Sequence, residues 1–153
     1  FKEIKPVLTK MPKLLGIDGR KMSKSYDNFI ALGDPVDTIK KKCNQMFTDP
    51  KRIKLSDKGH PDECNLYSYF KLFKKGIAPE VYEYCTKATL GCTECKKNLA
   101  EAISEYLSEI RAKREGLLKK RSSIYDILKE GAKRAGEVAA ETMAEVRKVT
   151  GLT

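Results

Sequence analysis

Two lysines and two serines crowd the segment Lys21-Met22-Ser23-Lys24-Ser25, which follows Gly16-Ile17-Asp18-Gly19-Arg20 and precedes Tyr26-Asp27-Asn28. Ammonium point charges, hydroxyl donors and a backbone that glycine leaves free to bend are suited to meeting phosphate oxygens. A mobile cationic loop is the simplest reading. Taken alone, a pentapeptide of this composition also fits a solvated basic loop.

Cysteine supplies the second group. Five occur, at positions 43, 64, 85, 92 and 95, and four of them follow C-x20-C-x6-C-x2-C from Cys64 to Cys95. Cys92 and Cys95 can clamp one metal centre, and Cys64 and Cys85, at the ends of preceding helices, can complete a four-thiolate shell. Spacing of this kind argues for metal over disulfides in a protein of a reducing compartment. Zinc and a [4Fe-4S] cluster both accept four thiolates, so ligand type does not choose between them, and ordinary buried thiols are the third reading. Cys43 falls on the apolar face of a helix, where a free cysteine behaves as a small hydrophobe, and is not assigned as a ligand.

The chain has 153 residues, enough for one ordinary domain or two small lobes with a modest core. Lys and Arg number 31 against 21 Asp and Glu, and the resulting net charge of +10 favours polyanionic partners, nucleic acid or nucleotide phosphate first. No apolar run approaches the ~20 residues that cross a bilayer and no signal peptide opens the chain, which gives the expectation of a cytoplasmic protein without a membrane partner.

Nearly everything after the basic loop reads as helix. Val7-Leu8-Thr9 between Pro6 and Pro12 permits a short edge strand or an extended approach to the loop. Asp34-Pro35-Val36-Asp37 reads as a capped start for a helix over residues 35–47, with Val36, Ile39, Cys43, Met46 and Phe47 on one face. Thr48 to Pro61 is a polar connection, and Asp62 can cap a helix carrying Leu66, Tyr69, Phe70 and Phe73 and stopping near Gly76. Pro79-Glu80 opens a short helix through Tyr82 and Cys85 that breaks at Thr89-Leu90-Gly91. A longer amphipathic pattern runs from Thr93 toward Leu118, and Ser123-Ile-Tyr-Asp126 resembles a capping box for a last helix ending at Gly151. The last helix has Ile124, Ile127, Leu128, Ala135, Val138, Ala139, Thr142, Val146 and Val149 on its face. The expectation is a mainly α protein closed by two long antiparallel helices.

The basic pentapeptide is also a resemblance, because KMSKS is the second signature of class I aminoacyl-tRNA synthetases. With Gly16-Ile-Asp-Gly-Arg before it and Tyr26-Asp-Asn-Phe-Ile and Phe47-Thr-Asp-Pro50 after it, nearly the whole chain resembles the C-terminal part of the bacterial-type tryptophanyl-tRNA synthetases. The resemblance implies a loop segment from the end of a Rossmann catalytic domain over residues 1–33, then a helical anticodon-binding bundle with the cysteines over 34–153. It implies ATP-dependent activation of tryptophan, with Mg2+, and transfer to tRNA(Trp) by a homodimer.

Within that activity, a carboxylate attacks the α-phosphate of ATP and charge grows on the departing pyrophosphate. A cation that reaches this charge only when the loop closes acts selectively on the transition state. The resemblance gives that role to Lys24, gives Lys21 the holding of phosphates and gives Ser23 a hydroxyl or backbone donor. Met22 packs, and Ser25 completes the nucleotide-contacting set. A subset of the bacterial enzymes carries a similar cysteine arrangement around a [4Fe-4S] cluster, with a slightly different first gap, which favours iron-sulfur at Cys64, Cys85, Cys92 and Cys95, with Zn2+ the alternative.

The family's first signature, His-x-Gly-His, needs two histidines, whereas the sequence holds only His60, and the first residue is Phe1. The expectation is a piece of a longer enzyme, inactive alone. A tyrosyl-tRNA synthetase fragment and a noncatalytic metal-stabilised RNA-binding module are the alternatives. His60, between Gly59 and Pro61, reads as a turn histidine. Tyr67, Tyr69, Phe70 and Phe73 read as core, and Lys71, Lys74, Lys75, Lys87, Lys96 and Lys97 form a possible phosphate-contacting patch around the cysteines.

Overall fold

The computed structural model describes residues 3–9 and 11–152. Part of the expectation for residues 1–15 falls on 1, 2 and 10, outside the described residues. Over 3–9 the chain forms no strand and Ile4, Val7 and Leu8 are exposed, so the edge-strand option does not hold there. Six α-helices follow: α1 (Val36–Gln45), α2 (Asn65–Phe73), α3 (Ala78–Thr86), α4 (Cys92–Tyr106), α5 (Ser108–Leu118) and α6 (Arg121–Thr150). The mainly α expectation is met. The chain divides into two units, residues 1–111 and 112–153.

The first unit is built on α1 and α2 packed against α4, with α3 against α2. Ile39, Cys43 and Met46 meet Leu99, Ala100, Ile103 and Leu107, while Leu66, Tyr69 and Phe70 fill the other side. Tyr69 and Phe70 are fully buried, as the apolar spacing requires. Full burial of each large side chain stabilises by about 2 kcal/mol, so these few residues hold the unit. Val36 and Phe47, expected on the same face of α1, lie at its rim and stay exposed.

The helix starts differ from expectation. Pro35, not Asp34, is the cap position of α1 and makes no side-chain bond. Asp34 instead accepts from the Ala31 amide at 2.9 Å and from Lys42 Nζ at 3.0 Å, because its carboxylate has a cation within reach eight residues on, about two helix turns along. Asp62 does not cap α2; it lies in a 3-10 turn over Pro61–Glu63, and Cys64 takes the cap position. α2 ends at Phe73, followed by a 3-10 turn over Lys75–Ile77. The long pattern from Thr93 is divided at Leu107, whose buried side chain belongs to the core of the first unit.

In the second unit α6 begins at Arg121 with Lys120 as cap, so the expected capping box at Ser123 lies inside the helix. It ends as expected on left-handed Gly151, whose amide donates to the Arg147 carbonyl. No described residue of α6 is buried, and Val149 is 86% exposed. The expected antiparallel packing of the last two helices is therefore not formed between α5 and α6. The periodic stripe reports a face that can be closed, but not what closes it.

Candidate functional site

The basic segment is a loop pinned at its base. Leu15 and Lys21 form an isolated antiparallel bridge, and the Gly16 amide donates to the Arg20 carbonyl at 2.8 Å. Gly19 turns the chain at φ +78°, a conformation only glycine adopts cheaply, with the Phe47 ring directly beneath it. Ser23 then caps a 3-10 turn over Lys24–Tyr26, accepting from the Ser25 amide at 3.2 Å. Lys21 and Lys24 are both exposed, and neither forms an ion pair among the described residues.

Asn28 ties the loop together. Its Nδ2 donates to Asp18 Oδ1 at 2.8 Å and to the Lys21 carbonyl at 3.1 Å, and its Oδ1 accepts from the Ser23 amide at 2.8 Å. The side chain is buried, and a Cβ on Gly16 would overlap it. Asp18 also accepts from the Arg20 amide and from Arg20 Nε at 2.7 Å. The Asn28 bond first, then the bonds from Arg20, hold the Asp18 carboxyl down at about 2. Arg20 is thereby committed within the loop, and it also covers the Tyr26 ring. The two lysines and Ser25 are left on the outside for a ligand.

The four cysteines are brought together. Cys64 precedes α2, Cys85 lies in the last turn of α3, and Cys92 and Cys95 occupy the first turn of α4. All four line one cavity, with Thr48, Arg52, Leu66, Val81, Tyr84 and Leu90 completing it. As placed, no three His, Cys, Asp or Glu side chains among the described residues are grouped to hold a metal ion.

Burial, reinforced by the neighbouring sulfurs, pushes the Cys95 thiol up to about 12 and raises Cys85, and the Arg52 guanidinium partly offsets both. A cation bound beside Cys85 and Cys95 would favour their thiolate forms, so four sulfurs lining one cavity are a donor set of the type that thiolate-binding metals use. Gly59 adds a second fit: a Cβ there would overlap Cys85 Sγ, so the backbone leaves that sulfur its space.

Cys43 is buried in the core on α1, where burial pushes its thiol up to about 11; it does not line the cavity.

Four side chains of this region carry roles that sequence reasoning missed. Arg52 donates from Nη1 to Cys92 Sγ at 3.9 Å and from Nη2 to the Leu55 carbonyl at 3.1 Å. Buried Asp49 accepts from the His60 amide at 2.7 Å and pairs with His60 Nδ1 at 2.9 Å, folding the connection back so that Gly59 and Arg52 reach the cysteines. Asn65 and Asn28 hold the loop from its two sides. Asn28 and Asp49 left a trace in the sequence, inside the flanks Tyr26-Asp-Asn-Phe-Ile and Phe47-Thr-Asp-Pro50, though not as the roles they hold.

His60 is the turn histidine expected. Of the six lysines around the cysteines, Lys74, Lys87 and Lys97 pair with glutamates, Lys71 covers the Tyr67 ring and Lys96 donates to the Asn44 carbonyl.

A basic loop and a four-cysteine cavity thus lie in the same helical unit, residues 1–111. The family described as tRNA synthetases class I (W and Y) matches residues 1–108, and the chain belongs to it. Within that family its relatives are tryptophan–tRNA ligases: that of Aquifex aeolicus is 42% identical across 99% of this chain and 39% of its own length, and that of Thermotoga maritima is 39% identical across 99% and 47%. A crystal structure of tryptophanyl-tRNA synthetase from Campylobacter jejuni complexed with ADP and tryptophan matches 92% of this chain and 44% of its own, with a TM-score of 0.78 and 34% identity. The chain spans less than half the length of these relatives. The tyrosyl and noncatalytic alternatives are not favoured.

Proposed function

We propose that the chain is the C-terminal part of a tryptophan–tRNA ligase, an enzyme that activates tryptophan with ATP and Mg2+ and transfers it to tRNA(Trp). Residues 1–33 are then the end of the catalytic domain with its KMSKS loop, and 34–153 the helical anticodon-binding domain. Lys21, Met22, Ser23, Lys24 and Ser25 form the nucleotide-contacting segment. Lys24 meets the charge on the departing pyrophosphate, and Lys21 holds the phosphates. The whole enzyme is a homodimer of the cytoplasm.

The observation that carries this reading is the loop itself: its carboxylate Asp18 is spent on Asn28 and Arg20, while Lys21 and Lys24 are exposed and form no ion pair among the described residues, in a chain similar over nearly its whole length to tryptophan–tRNA ligases. The test is tryptophan-dependent ATP–pyrophosphate exchange by the full-length protein. Lys24→Ala should depress exchange far more than tryptophan binding, and equal losses in both would remove Lys24 from that role.

Cys64, Cys85, Cys92 and Cys95 are the ligands of a [4Fe-4S] cluster, with a structural role. Shared lining of one cavity by the four sulfurs and the space kept by Gly59 for Cys85 support a four-thiolate centre. When bound, such a group joins α2, α3 and α4 by covalent bonds, which a unit with so small a core gains from. Anaerobically purified protein should show a broad brown band near ~400 nm, whereas colourless protein containing zinc would replace iron-sulfur by Zn2+.

A further inference from the structure

Cys64 and Asn65 are adjacent in sequence and serve different sites. Cys64 lines the four-cysteine cavity and also borders a cleft that reaches Leu15, Gly19 and Phe47. Asn65, only 5% exposed, donates from Nδ2 to the Gly16 carbonyl at 2.8 Å. One helical turn on, Tyr69 Oη donates to the Leu15 carbonyl at 2.7 Å. Those two carbonyls belong to the base of the basic loop, where Leu15 pairs with Lys21 and Gly16 with Arg20. A third tie runs parallel: the Phe47 amide donates to the Ile17 carbonyl at 2.7 Å, and the next residue, Thr48, lines the cysteine cavity.

Two details show what the first turn of α2 is built for. Asn65 Oδ1 is buried without a partner among the described residues, so the side chain acts there through its donor alone. The helix also starts without a side-chain cap, on Cys64 itself. A bond from Cys64 to a metal would fix the helix end that a cap ordinarily fixes. A shift of that end by ~1 Å would take the Asn65 donor beyond hydrogen-bond reach of Gly16.

We propose that the amino-terminal turn of α2 is a coupling element: occupancy of the four-cysteine centre, through Cys64, sets the positions of Asn65 and Tyr69, and these set the order of the Lys21–Ser25 loop. Asn65 and Tyr69 are positioning residues, acting on the phosphate-contacting lysines through the backbone of Leu15 and Gly16. The proposal rests on the iron-sulfur reading of the cysteine centre given above.

The test is hydrogen exchange, followed by mass spectrometry, on the full-length protein with iron loaded anaerobically and after removal by oxidant and chelator. Removal should speed exchange over residues 15–28 by about tenfold, the loss of roughly one hydrogen bond's worth of protection, with little change over 99–103 in α4. Asn65→Ala and Tyr69→Phe, shown by iron assay to be loaded, should exchange as fast over 15–28 with iron as without. An unchanged 15–28 segment on iron removal overturns the coupling. So does equal acceleration over 99–103, which marks general loosening, and so does a wild-type response in both variants. A protein that takes up no iron overturns the reading of the centre and this coupling with it, and the iron assay separates that case from the others.

Discussion

Asn28 Nδ2 lies 2.8 Å from Asp18 Oδ1, and through this bond the last residue of the basic loop grips the turn that opens it. Asn28 is 2% exposed and also fastens Lys21 and Ser23, so it holds the segment between two exposed lysines to a fixed base. Removing it with Asn28→Ala strands three polar partners, a local cost of about 1–3 kcal/mol. The expected outcome is a roughly tenfold or greater rise in the rate of tryptic cleavage after Lys21 and Lys24 in brief digestion. The melting of the α1, α2 and α4 core should change little. Cleavage at the wild-type rate would mean that Asn28 does not restrain the loop.

The same bond sets a pH dependence. Asp18 titrates at about 2, below the ordinary 3.8, so the folded loop favours its ionised form. The contribution to loop order is fully present above the unfolded value and is lost as pH falls from 3.8 through about 2. The Asn28 side-chain amide resonances should therefore hold steady from neutral pH to about 4 and move only below it. In Asn28→Ala the Asp18 carboxyl should titrate higher, because its largest stabilising partner is gone. Titration followed by the carboxyl carbon of Asp18 measures both.

How much of this was legible in the sequence depends on the range of the interaction. The loop lysines and the four cysteines could be named from spacing, and α1 to α4 from apolar periodicity, because these are local or chemically singular signals. Asn28 and Asn65 could not, since each acts through polar bonds to backbone that folding brings near; Asn65 and Gly16 are 49 positions apart. Asp34 misled for a related reason. Its Asp-Pro pattern reads as a cap, but Lys42 and the Ala31 amide compete for the carboxylate and win. The stripe on α6 is genuine periodicity without a partner in its own unit, so a pattern that implied packing yielded an exposed helix.

Gly59 is the position where a single methyl group tests the cysteine cavity. Its amide donates to the Cys85 carbonyl at 3.0 Å, and a Cβ would overlap Cys85 Sγ and crowd Arg52. Gly59→Ala forces the thiol out of the cavity at a cost of about 1–3 kcal/mol, the usual range for overpacking. Iron or zinc content per chain should fall well below the wild-type value after anaerobic reconstitution. The circular dichroism of the helices should persist, since the main core lies between α1, α2 and α4. Full metal content in the variant would show that Cys85 is not held by this contact.

Arg52 places the one guanidinium that the structure aims at a cysteine sulfur, 3.9 Å from Cys92 Sγ among the described residues. A cation beside a thiolate-bound cluster favours the reduced, more negative state, as it favours any added negative charge. Arg52→Met keeps most of the packing stem and removes the charge and the donor. With Cys64, Cys85, Cys92 and Cys95 untouched, iron content should stay close to wild type while the reduction potential falls by roughly 60 mV, the equivalent of a tenfold change for one electron. Arg52→Lys should recover part of the shift, since it restores charge without the planar fork. Spectroelectrochemistry on the anaerobic protein reads the difference directly. Equal potentials in all three proteins would confine Arg52 to its bond with the Leu55 carbonyl, as a residue that holds the connection between α1 and α2 in place.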